Sequence, residues 1–184
     1  MKKLIIAAGL ITALALAAFG TTGGLPVSFA GSWTLDKSKS TGLSQRMQNA
    51  EKVTCVITQD DNTISVEWKF EGTQPAAAGA GGGGGMGGGR GPAGPQSYNL
   101  DGKEATSEAG GLVGGTSTMK ATWSDATKTL ELMSVRAGNV NGQDFKATTT
   151  DKMSLSADGK VLTITRHSES PRGTQDSTLV FNKQ

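Results

Sequence analysis

Thr63-Ile64-Ser65-Val66-Glu67-Trp68-Lys69-Phe70-Glu71 alternates without a break between apolar and polar side chains. Ile64, Val66, Trp68 and Phe70 fall on one side of an extended chain. Ser65, Glu67, Lys69 and Glu71 fall on the other. Successive side chains of a strand point to opposite faces, so this is a strand with one face on a core and one in water. A helix would need apolar residues every three to four positions, which the stretch lacks. Upstream, Val53–Gln59 reads as a second strand, reached across the turn residues Asp60-Asp61-Asn62, and the two make a hairpin.

The hairpin spacing recurs. Ile57 precedes Ile64 by seven residues, Trp123 precedes Leu130 by seven, and Leu155 precedes Leu162 by seven, each time across a polar turn. The reading is one turn solution used repeatedly. Further strands are predicted at Gly31–Leu35, Gln96–Leu100, Gly115–Trp123, Thr129–Arg136, Gln143–Leu155, Val161–His167 and Thr178–Lys183. Threonine is frequent in them, as on half-exposed sheet surfaces. A short N-terminal helix around Leu43–Ala50 is the one departure from period two. Strands joined by short turns predict an all-β fold, an antiparallel up-and-down β-barrel of about eight to nine strands, whose closure removes exposed edges. A β-sandwich is the alternative.

The chain of 184 residues divides into a leader and one domain. Residues 1–30 have the layout of a signal peptide: Lys2 and Lys3, an apolar run from Leu4 to Phe19, then small residues that suit cleavage after Gly20 or after Ala30. The run is short of the ~20 apolar residues that span a bilayer comfortably. No stable membrane insertion is expected once the leader is removed. The expected location is exported, periplasmic or extracellular. Lys2 and Lys3 account for the whole formal net charge of +2, so the remaining barrel domain, 31–184, has no net positive field for nucleic acid.

Thr73–Pro95 interrupts the strands with two glycine runs and reads as a flexible loop. It lacks the Lys-Ser/Thr of a phosphate-binding loop and leads into prolines rather than a helix. The single cysteine, Cys55, excludes an intramolecular disulfide and shares a face with Val53 and Ile57, the pattern of an inert core thiol. The single histidine, His167, excludes two-histidine metal motifs. No Gly-x-Ser-x-Gly elbow occurs. No cofactor, no metal and no enzymatic activity are expected. A carboxylate-based hydrolase is the minor alternative, and it would need a pair drawn from acids such as Glu67, Glu71, Glu104, Glu108, Asp125 and Asp158.

The aromatic residues carry the remaining signal. Trp33, Trp68, Phe70 and Trp123 sit on alternating faces of different strands and are candidate linings of an apolar pocket; they serve equally as a filled core. Arg166 shares its face with Leu162 and Ile164. It is a candidate ligand contact if it points inward, and a snorkelling strand-end cation if it does not.

Gly31-Ser32-Trp33 in the first strand, with a late arginine such as Arg166 to pack on that tryptophan, resembles the lipocalin and calycin pattern. Thr150-Asp151 stands for the family's middle signature, without the aromatic that follows it there. The opening Gly31–Ser40 and the tail Leu155–Arg166 are similar to those of exported bacterial β-barrel proteins that bring no established activity. The resemblance implies an eight-stranded barrel that carries a small, mostly apolar molecule. The alternative is a structural or interaction protein of the cell envelope with a filled β core, whose protein partner the sequence does not identify.

Overall fold

The computed structural model describes residues 25–72, 94–108, 115–140 and 142–184. The segment 73–93, which holds most of the expected glycine-rich loop, and residues 1–24, which hold most of the expected leader, lie outside the described residues.

The strands are β1 (Gly31–Leu35), β2 (Lys52–Gln59), β3 (Thr63–Glu71), β4 (Gln96–Asn99), β5 (Ala105–Glu108), β6 (Gly115–Ser124), β7 (Thr129–Val140), β8 (Gln143–Leu155), β9 (Val161–Ser170) and β10 (Gly173–Lys183). One helix, α1 (Gln45–Asn49), lies between β1 and β2. The ten strands form one antiparallel sheet in the order β4-β3-β2-β1-β10-β9-β8-β7-β6-β5. The first and last strands therefore pair, Trp33 opposite Lys183 and Leu35 opposite Phe181. The sheet curls until β4 comes within 8 Å of β5 and β6, leaving one seam between the two edge strands. The fold is a nearly closed up-and-down barrel. Its strand number exceeds the expectation by β5, which has only exposed or half-exposed Ala105, Thr106, Ser107 and Glu108 and so offers no alternation to read.

All odd-numbered strands run one way and all even-numbered strands the other. One end of the barrel, the turn end, carries the tight connections 60–62, 125–128 and 156–160 together with residues 25–30. The other, the loop end, carries residues 36–51, the approaches to segment 73–93, and the β7–β8 and β9–β10 turns.

Local chemistry sets these boundaries. Asp36 ends β1 because its carboxylate accepts from the Ser38 backbone N–H at 3.1 Å and hydroxyl at 2.6 Å, bending the chain away. Ser38, then Lys39, hold that carboxyl well below the usual carboxylate range. Residues beyond the bend still follow β10: the Asp36 N–H donates to the Val180 carbonyl at 2.7 Å, and Thr41 bridges Thr178. Gly42 then crosses β10 at φ +65°, so close that a Cβ would lie 2.2 Å from the Asp176 carbonyl oxygen. Ser44 caps α1, accepting from the Met47 N–H. The helix is shorter than the expected Leu43–Ala50, and it buries Met47 against the core.

Residues seven apart face each other in all three hairpins, but in the first the facing pair is Thr58 and Ser65, offset by one residue from Ile57 and Ile64. Trp123 faces Leu130 and Leu155 faces Leu162, as equal turns require. Ile57 faces Val66 rather than Ile64. The Asp60 carboxylate organises the first turn by accepting the N–H groups of Asn62 at 2.8 Å and Thr63 at 2.7 Å. The Asp60 N–H also donates to the Thr63 carbonyl at 3.0 Å, so the first turn is closed by its own bonds while its strand separation matches the other two.

The core fills the barrel from the turn end and, beside β1 and β2, reaches the loop end through Leu35, Met47, Ala50 and Val53. Phe29, Trp33, Cys55, Ile64, Leu162, Leu179 and Phe181 have no exposed surface. The packed body begins upstream of Gly31, because Leu25, Val27 and Phe29 belong to the same cluster.

Candidate functional site

The inward faces of the long strands change character halfway along. On β9, Leu162 and Ile164 give way to Arg166 and Ser168. On β8, Met153 gives way to Asp151 and Thr149, and on β7, Leu130 and Leu132 give way to Ser134. On β7–β9 the apolar core therefore gives way to a polar interior toward the loop end, whereas on the β1–β3 side Leu35, Met47, Ala50 and Val53 carry the core to that end.

Arg166 and Asp151 mark the change on β8 and β9. They face each other directly in the β8–β9 register. The guanidinium donates from Nε to Oδ1 and from Nη2 to Oδ2, both at 2.7 Å, a bidentate fork. The side chains retain 23% and 14% of their exposure, so the pair is largely withdrawn from water. Burial opposes the guanidinium charge, but Asp151 outweighs it and holds Arg166 above its ordinary value.

The pair reaches across the barrel. The Arg166 guanidinium lies over the Trp68 ring, 4.9 Å from its centroid. Trp68 meets Phe181 edge to face at 5.6 Å and 61°. The Tyr98 hydroxyl, hydrogen-bonded with Ser134, is pushed up to about 12 by burial and then by the nearby Asp151 charge. The Cys55 thiol is likewise pushed up to about 12, chiefly by burial. This constellation joins side chains from β2, β3, β4, β7, β8, β9 and β10, including both sides of the seam. Chemically it braces the barrel: the arginine fork is already engaged by a carboxylate, and the thiol and phenol are held neutral.

The structure unites only some of the expected site residues. Arg166 points inward and meets Trp68. Trp33 lies nearer the turn end with no exposed surface, and its indole N–H donates to the Phe29 carbonyl at 3.0 Å. The cation over the Trp33 ring is Lys183 of the last strand, 5.3 Å from the centroid, rather than Arg166. Trp123 stands at the rim of the turn end, where its indole N–H donates to the exposed Asp125 carboxylate at 2.8 Å. Phe70 lies at the loop end under Arg46 of α1, whose guanidinium carbon is 3.8 Å from the ring centroid. Trp33 and Trp68 thus flank Cys55 in register, with Arg166 over Trp68, while Trp123 and Phe70 stand toward opposite ends of the barrel.

Other polar groupings lie on the outside. His167 accepts or donates through Nδ1 to the directly opposed Asp176 at 2.6 Å and through Nε2 to Glu169 at 3.2 Å. Asp176, then Glu169, raise it above its ordinary value. A surface recess of about 130 Å3 at the turn end is lined by Asp61, Asn62, Asn99 and Asp101 and includes none of the expected aromatic residues. Among the described residues, no three of the His, Cys, Asp and Glu side chains gather as metal ligands would.

Sequence reasoning overlooked Asp151 as the partner of Arg166, and Phe29 as an interior residue; Tyr98 is buried, as its place among the strand aromatics suggested. Asp151 was detectable: it continues the inward row of Met153 and Leu155, and a carboxylate in such a row calls for a cation opposite. Compared with protein-family models, with curated proteins and with solved structures, the chain finds no match.

Proposed function

We propose that this is an exported protein of the cell envelope whose barrel is a filled scaffold and whose loop end makes its contacts. One observation carries the reading. Trp33, the residue best placed to line a lipocalin-type pocket, is occupied on every side, by Phe29 at its indole nitrogen, Lys183 over its ring and core neighbours elsewhere. The lipocalin-like relationship rests on that tryptophan in the first strand; the arginine expected to pack on it lies over Trp68 instead. The long connections all leave from one end, as in barrels that recognise partners through loops on a rigid frame.

A second reading is favoured by a separate observation. Trp68 and Phe70 keep part of their surface, and the inward face above Arg166 is polar. A small molecule with an apolar body and a polar group would enter from the loop end and rest on Trp68, beneath Ser134 and Thr149.

Tryptophan emission during titration with fatty acids and apolar dyes separates the two. The filled scaffold gives no saturable change. The second reading gives a saturable change that disappears in Trp68→Phe. A saturable change that survives Trp68→Phe but vanishes in Trp33→Phe would refute both.

A further inference from the structure

Two positions satisfy the small-residue rule for leader removal, Ala18-Phe19-Gly20 and Ser28-Phe29-Ala30, and the sequence does not choose between them. The fold does. We infer that residues 25–30 are a permanent plug of the turn end, so that the leader is cut upstream of Leu25, at the Gly20–Thr21 bond. The inference uses the export reading only for the existence of a cut; the plug stands on contacts within the barrel.

Phe29 is among the largest side chains with no exposed surface. Its carbonyl is the acceptor for the buried Trp33 indole N–H. The side-chain amide of Gln59, at the end of β2, clamps the same segment at two points. Its oxygen accepts from the Phe29 N–H at 2.9 Å and its nitrogen donates to the Val27 carbonyl at 3.2 Å. Leu25 and Val27 pack on the core alongside.

Cleavage after Ala30 would remove all of this. It would empty the space filled by Phe29 and strip the partner from a buried indole N–H, each a recognised large penalty. It would also place a new ammonium on Gly31, where a Cβ would already lie 3.3 Å from Lys183 Cε, beside the cation that covers Trp33. Hydrolysis of the Gly20–Thr21 bond by a signal peptidase costs none of these contacts. Water supplies the hydroxyl of the new Gly20 carboxyl group and a proton to the new Thr21 amine.

The test is the intact mass and N-terminal sequence of the protein exported from the full gene with its own leader. A chain beginning at Thr21, or anywhere up to Leu25, upholds the inference, and a chain beginning at Gly31 overturns it. A chain that keeps Met1 removes the export reading and leaves the plug to a second measurement on the full chain. There, Phe29→Ala is expected to lower Tm by about 10 °C and to speed exchange of the Trp33 indole proton at least about ten-fold, consistent with local opening. An unchanged Tm with unchanged exchange would overturn the plug.

Discussion

Asp151→Asn is the most informative single change in the barrel. It keeps the volume of the side chain and removes its charge, leaving the Arg166 guanidinium over Trp68 without its carboxylate. Exposed ion pairs contribute ~0.2–1 kcal/mol, whereas breaking a buried pair costs ~3–5 kcal/mol. This pair is bidentate at 2.7 Å but retains 14% and 23% exposure, so it belongs between these limits and nearer the second. A loss of about 2–3 kcal/mol follows, a Tm lower by roughly 6–10 °C for a domain of this size. Urea melts followed by tryptophan emission measure it, with an unchanged m-value as the control for two-state behaviour. The double change Asp151→Leu with Arg166→Met removes both charges and fills the same space, and it is expected to fall within about 1 kcal/mol of the wild type. With the single changes Asp151→Leu and Arg166→Met the cycle closes and gives a coupling of at least ~1.5 kcal/mol. A loss below about 0.5 kcal/mol in Asp151→Asn, or a double variant as weak as the sum of its parts, would refute the brace.

Three further expectations follow from local geometry. Cys55, buried and held protonated, is expected to ignore thiol reagents in the native state and to react at the rate of unfolding; fast labelling of folded protein would contradict its placement. His167 is raised by Asp176 and Glu169, so its contribution to stability is full below the ordinary value of 6.5 and is lost as pH rises through its higher folded value. His167→Gln should flatten that part of the Tm-against-pH curve, and an unaltered curve would show the contact to be inert. Gly42→Ala should cost about 2 kcal/mol or more, because it adds left-handed strain to a close backbone approach. A thermal melt indistinguishable from wild type would mean that the crossing over β10 is looser than described.

The strands were legible wherever one face was buried and the other wet. Thr63–Glu71 and Gln143–Leu155 occupy the spans that alternation predicts, and Cys55 is buried with Val53 and Ile57 on its face. β5 was not legible, because a short strand with no buried face pairs through its backbone alone. Register was only partly legible: the seven-residue separation holds in all three hairpins, but the apolar pair Ile57 and Ile64 sits one residue off the facing pair Thr58 and Ser65, because the turn that Asp60 organises is centred one residue later. Arg166 and Asp151 could each be placed inward from their faces alone, but their pairing needed the register between β8 and β9. Phe29 was hidden for another reason, since an apolar residue beside a leader reads as part of the leader.

The account turns on whether Trp33 is packing or pocket. The three indole N–H resonances of Trp33, Trp68 and Trp123 can be followed separately in a 15N-labelled sample during titration with a fatty acid and an apolar dye, and then during exchange into deuterium oxide. The filled barrel predicts that Trp33 does not shift at saturation and exchanges only with global unfolding, while Trp123, bonded to an exposed carboxylate, exchanges far sooner. A saturable shift of the Trp33 resonance, or its exchange as rapidly as that of Trp123, would contradict the claim that this tryptophan is sealed inside the core.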